Sequence, residues 1–181
     1  DQPSRDVVDK IDAVETGHLD LYLGLGRVVS LYRPAPGATY AFPAPELLGP
    51  MVNEVAVAQA LCQEVVSGYI KVCEELLTDV EEIEESVFSA GRTSDAQRIY
   101  LLKREVAEVR RAAAPLIEPL AALTQMQSTA SPMARAFSET GEQLRHVIEH
   151  VDSLEAMLNS VFDAYVAQIS LQQNDDMRKI S

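Results

Sequence analysis

Apolar positions along the chain follow two periods. In HLDLYLGLGRVVSLYR, residues 18–33, Leu19, Leu21 and Leu23 alternate with Asp20 and Tyr22, pass Gly24-Leu25-Gly26, and resume at Val29 and Leu31. A period of two broken by turn glycines predicts a β-hairpin with one buried face. RPAPGATYAFPAPELLGP, residues 33–50, is dense in Pro and reads as a connector. Two strands alone are rarely stable, so this hairpin is expected to need more sheet than the chain supplies.

From about Met51 the period becomes helical. Leu61, Val65, Tyr69, Val72, Leu76, Val80, Ile83 and Val87 recur at spacings of four and three, a single coiled-coil-like seam. Gly91 suits a helix C-terminus. Thr93 or Ser94 can cap a second helix with the seam Ile99, Leu102, Val106, Val109, Ala113, Leu116, Leu120 and Leu123. A short turn between long helices makes them antiparallel neighbours. Pro115 and Pro119 are expected to kink or end the second one. TQMQSTAS, residues 124–131, is a loop, after which Ser131-Pro132 supplies an N-cap and a favoured first-turn residue. A helical pattern then runs to the last residue, about 75 Å at 1.5 Å per residue. Its seam is Leu144, Val147, Val151, Leu154, Leu158, Val161 and Tyr165, widened by Ile148, Phe162 and Ile169. Gly141 costs about 1 kcal/mol there without breaking the helix.

The opposite face of this last helix carries a second repeat. Ser153, Ala156, Ser160, Asp163, Ala167, Ser170, Asn174, Met177 and Ser181 also recur at three and four. A stripe of small side chains lets helices approach closely. One side of the helix would pack on its own hairpin, while the other could face symmetry mates around an axis; an ordinary solvated face is the competing reading. A face of Asp, Ser and Asn presents oxygen ligands, which hard cations prefer. The closing QISLQQNDDMRKIS turns from apolar to amide-rich without a terminating cap, and the chain starts at Asp1, so a piece of a longer protein is expected at both ends.

Charge sharpens the helical pairing. Glu74, Glu75, Asp79, Glu81, Glu82, Glu84 and Glu85 close the first helix, and Arg92, Arg98, Lys103, Arg104, Arg110 and Arg111 fill the second. Antiparallel packing sets these blocks side by side, favouring one register at about 0 to 1 kcal/mol per exposed pair. Overall the 181 residues carry a net charge of −13, which argues against nucleic acid as a partner. An apolar fraction of 47 % with 6 % aromatics and no Trp favours packed helices. Cys62 and Cys73 lie about 16 Å apart along one helix, too far to bridge, and read as reduced packing residues of a cytosolic protein. No apolar run is long enough to span a bilayer.

Candidate chemistry is sparse. Gly24 and Gly26 read as turn residues, because a phosphate loop needs a third Gly and a helix start. HVIEH, His146 to His150, matches the spacing of inverted zinc peptidases, with Glu149 as a general base. The remaining His18 lies in the hairpin, and no Ser-His-Asp grouping or phosphate loop accompanies it, so no enzyme is expected.

RIYLLKREVAEVRRAAAPL, residues 98–116, resembles the helical-hairpin signature of the CorA family of magnesium channels. FDAYVAQISLQQNDDMRKIS, residues 162–181, resembles that family's stalk helix running into its first transmembrane segment. ETGHLDLYLGLGRVVSLYR, residues 15–33, resembles the last strands of its cytosolic domain. The resemblance implies a mainly α fold with a small β portion (α+β). Residues 1–50 would be the C-terminal strands and linker of a truncated α/β domain. Residues 51–130 would form an antiparallel helical hairpin, acidic on one arm and basic on the other, and 131–181 a stalk helix leading to a missing transmembrane segment. It further implies a homopentamer on the cytoplasmic face of the membrane, anchored through missing C-terminal helices. Mg²⁺ bound between subunits would hold it closed, with Co²⁺, Ni²⁺ and Zn²⁺ left open as the physiological ion.

By position Asp163 matches a stalk carboxylate near the family's metal sites, and Glu139 falls where members carry an Asp at an intersubunit site. Asn174, Met177 and Ser181 match the inner pore stretch. The Gly-Met-Asn selectivity loop, both transmembrane helices and the earlier part of the α/β domain are absent, including the carboxylate that pairs with the Glu139 position. This stretch alone is therefore expected not to conduct. The alternative is a soluble helical scaffold that binds a partner coiled coil; it leaves the amide-rich end unexplained.

Overall fold

A computed structural model describes residues 17–24, 26–34, 53–89 and 95–180. Strands β1 (His18–Gly24) and β2 (Arg27–Arg33) pair antiparallel from His18↔Arg33 to Gly24↔Arg27. Gly26 takes φ +75°, a left-handed turn conformation that glycine adopts without strain. Helices α1 (Glu54–Phe88) and α2 (Ala96–Ala113) follow, then a 3₁₀ turn (Ala114–Leu116), α3 (Ile117–Gln125) and α4 (Pro132–Ile180). The fold is mainly α with a small β portion, as the periodicity predicts. The Pro-rich connector and the Gly91, Thr93 and Ser94 positions lie outside the described residues.

Local chemistry sets the helix ends. Asn53 caps α1 by accepting from the Ala56 N–H at 2.9 Å. Ser131 caps α4 by accepting from the Ala134 N–H at 3.0 Å, with Pro132 in the first turn. At α2 the capping position is Asp95, whose carboxylate is turned away from the helix and accepts from the Ser86 hydroxyl at 2.9 Å. Pro115 falls in the 3₁₀ turn that separates α2 from α3. Its missing N–H and its ring contact with the preceding turn end the regular helix there. Pro119 sits in the first turn of α3, where no donor is lost.

Cross-helix contacts fix the directions. Ser86–Asp95 and Arg98–Glu82 (3.6 Å) run α1 and α2 antiparallel. Arg110 pairs with Asp152, and the Lys103 Nζ lies 5.1 Å from the centre of the Phe162 ring, so α2 and α4 are antiparallel too. Gln59 reaches Thr140 and Gln63 reaches Gln143, so α1 and α4 are parallel. The result is a long three-helix bundle with α3 continuing the middle arm.

The core is a ladder shared by all of them. Val80, Ile83 and Val87 of α1, Ile99, Val106 and Val109 of α2, and Phe137, Leu144, Val151 and Leu158 of α4 are all buried. Removing such side chains from water at about 25 cal/mol per Å² is what holds the helices together. On α1 the buried stripe passes through Ala58, Leu61, Val66 and Cys73, while Val65, Tyr69 and Val72 are only half-buried. The stripe is rotated because α1 faces α2 and α4 at once. On α4, Tyr165 and Ile169 are half-buried, and Phe162 stays 41 % exposed at the rim beneath Lys103.

The hairpin departs from a fully buried face. Leu19, Leu21, Val28 and Tyr32 are half-buried, Leu23 is exposed, and Tyr22, Val29 and Leu31 face outward. Only one sheet edge can be covered by a single neighbouring strand, so a two-stranded ribbon shields little of itself.

Candidate ion-binding face of the long helix

At about 1.5 Å per residue, α4 is roughly 74 Å long, and its core residues recur at three and four along one side. Its buried run ends at Val161, with Ala164 and Tyr165 still packed against the core. Beyond Ile169 the helix overhangs for about 16 Å. The amide-rich sequence matches that change of partner: of Ser170, Leu171, Gln173, Asn174, Asp175 and Met177, every one is exposed.

The second repeat maps onto the side opposite the core. Ser153, Ala156, Ser160, Asp163, Ala167, Ser170, Asn174 and Met177 are all exposed. Two of the hydroxyls fold back on the helix: Ser160 donates to the Ala156 carbonyl at 3.2 Å and Ser170 to the Val166 carbonyl at 3.0 Å. Their protons are thereby occupied, their remaining lone pairs point outward, and the stripe stays thin enough for close approach. Beside it, on the flank nearer α2 where Lys103 covers Phe162, both Phe162 and Val166 are exposed apolar side chains.

Asp163 stands exposed in the middle of the stripe. Glu139 is also exposed, but it lies about 36 Å up the helix and about 120° around it. The structure therefore does not bring Glu139 and Asp163 together in one chain. Asn174 and Met177 share the Asp163 face on the overhang, about 16 Å and 21 Å further along. Ser181 lies outside the described residues. Among the described residues no group of three or more His, Cys, Asp or Glu side chains could hold a metal ion. Any divalent ion at Asp163 would have to collect ligands from other copies or keep its water.

His146, Glu149 and His150 are exposed on α4 with no third ligand grouped beside the histidines. Both thiols are inert packing groups. Burial pushes Cys62 upward, and burial with the nearby Glu74 pushes Cys73 upward, away from the reactive thiolate. Asp79 belongs to the acidic block on α1. Burial raises the Asp79 carboxyl, Glu82 adds to the rise, Arg98 opposes it and Glu75 adds a little more.

Periodicity does not reveal a polar layer near the top of α4, made by Gln59, Gln63 and Thr140. Its residues read as solvated surface in the sequence, and the only signal is a Thr at a seam position.

The long amphipathic α4 thus packs on an antiparallel helical pair, and its oxygen-bearing face has no partner among the described residues. The family described as CorA-like Mg2+ transporter protein matches residues 4–181, and the chain belongs to that family. No curated protein matches the chain. The family is one of Mg²⁺ transporters, not of enzymes. Among the described residues no helix is long and apolar enough to cross a membrane.

Proposed function

We propose that this chain is the regulatory and pore-entry part of a CorA-like divalent-cation channel. It would assemble as a homopentamer at the cytoplasmic face of the membrane, with α4 turned toward the symmetry axis. The observation that carries this reading is the outward stripe of α4 opposite the buried seam, which from Ser153 to Asn174 sets Ala156 and Ala167 among the oxygen-bearing Ser153, Ser160, Asp163, Ser170 and Asn174. Membership of a family described as Mg²⁺ transporters supports Mg²⁺ as the transported ion.

The mechanism is electrostatic. Around an axis the stripe brings the Asp163 carboxylates of neighbouring copies close, and like charges in a confined space repel. A divalent cation bridging them, largely through retained water, removes the repulsion and favours the closed arrangement. When the ion leaves, the carboxylates separate and the stalk helices splay. Occupancy therefore biases a two-state equilibrium by its differential affinity for the two arrangements. Glu139, on a different side of α4, would meet a neighbouring subunit rather than the axis. It is one methylene longer than an Asp and holds an ion less rigidly. Asn174, Met177 and Ser181 would line the ion path below Asp163, where amide and hydroxyl oxygens can replace individual waters of hydration.

The test is Asp163→Ala in the membrane-embedded transporter. The Mg²⁺ concentration that closes it is expected to rise several-fold, because one ring of charge no longer rewards the bound ion. An unchanged dose-response would remove Asp163 from the gating site.

A further inference from the structure

Near its upper end the α1–α4 interface contains one polar layer in an otherwise apolar seam. Thr140 is fully buried on α4. Its hydroxyl proton lies between the Gln63 Oε1 at 2.7 Å and the Ala136 carbonyl at 3.0 Å, and its oxygen accepts from the Gln59 Nε2 at 3.3 Å. The Gln63 amide in turn donates to the Gln143 Oε1 at 2.6 Å and to the Ser67 hydroxyl at 3.4 Å. Gln63 thus uses its carbonyl and its amide across the same interface, and among the described residues no buried side-chain N or O atom lacks a partner.

Below this layer the two helices meet through repeating aliphatics, with Leu76, Val80, Ile83 and Val87 on α1 and Val147, Val151, Leu154 and Leu158 on α4. Such a seam tolerates a slip of seven residues, about 10 Å along the axis, because apolar again meets apolar. The chain offers no short loop to prevent it, since α2, the 3₁₀ turn and α3 intervene between α1 and α4. The slip is excluded at the polar layer. Sliding α4 by seven residues one way sets Val66 and Ile70 where Gln59 and Gln63 stand, so the Thr140 hydroxyl loses both of its partners on α1. An unpaired buried polar group is costly, whereas a paired one is nearly neutral. A buried polar residue that selects one register is the best-attested use of polarity in helical seams.

We propose that the Gln59–Gln63–Thr140–Gln143 layer is a register lock that fixes the axial position of α4 on α1, so that the two helices move as one body. The layer adds little to stability and acts by penalising that slipped register. This holds whether or not the stripe of α4 gates an ion.

The experiment uses the whole chain in a Cys62→Ala/Cys73→Ala background, spin-labelled at the exposed Lys71 and Glu149 positions for pulsed electron paramagnetic distance measurement. Thr140→Val alone, which strands the Gln63 carbonyl, is expected to lower the melting temperature. Thr140→Val with Gln63→Leu replaces both partners by apolar groups and is expected to restore it. The same double variant should broaden or split the single narrow distance of the parent, with Thr140→Ser keeping it narrow. A double variant with the parent's one narrow distance would overturn the proposal. So would a broad distribution in the parent, or loss of helicity in the double variant, which would make the layer a requirement for folding instead.

Discussion

Asp79 sits in the acidic block of α1 with its carboxyl titrating above the ordinary value, burial being the main cause. A folded-state value above the unfolded one means that folding disfavours the ionised form. Stability is then gained as pH falls through the folded value and levels off below the unfolded one. Asp79→Asn removes the charge and is predicted to raise the urea midpoint at pH 7. The gap to the parent should close as pH falls below about 4, where both carry a neutral side chain. A midpoint lowered at pH 7 would mean that the attraction of Arg98 outweighs burial and the neighbouring glutamates. At this scale the sequence was legible where one residue type has one use. Asp163 falls on the outward face because spacings of three and four put it there. The displaced Asp79 titration was not legible, since burial, its main cause, depends on how α1 packs in the bundle.

At the scale of elements, the caps and breaks follow from chemistry written in the chain. Asn53, Ser131-Pro132 and Pro115 stand where α1 begins, α4 begins and α2 ends. The register of the buried stripe on α1 is harder to read. Val65-Val66, Tyr69-Ile70 and Val72-Cys73 are adjacent apolar pairs, and a period alone does not choose between the members. Tertiary packing chose Val66 and Cys73, because α1 must face α2 and α4 together. The parallel run of α1 and α4 had no sequence signal either, as nothing short connects them. Gly141 offers an element-scale prediction. A Cβ placed there meets nothing within 4 Å, and the same holds for Gly68. Gly141→Ala should therefore stabilise the chain by about 0.5 to 1 kcal/mol, measured by chemical denaturation. A loss of stability would show that α4 needs local freedom at this turn.

On the scale of the whole molecule, a net charge of −13 sits on a bundle whose longest helix leaves one face without a partner among the described residues. The ion pairs that decorate it, such as Arg98–Glu82 at 3.6 Å, are exposed on at least one side and orient helices more than they stabilise them. Buried apolar area holds the bundle together, and the outward stripe of α4 is available for assembly. In the proposed reading this free face is where α4 would meet its copies. The most direct test is a cysteine scan of α4 in the membrane-embedded transporter, with Cys62 and Cys73 replaced by Ala. Ser160→Cys, Ala167→Cys and Ser170→Cys are predicted to form disulfide-linked dimers between subunits on mild oxidation. Glu155→Cys and Gln173→Cys, on the flank, should form far fewer. Cross-links that favour the flank, or that show no periodicity along the helix, would contradict a stripe turned toward the symmetry axis.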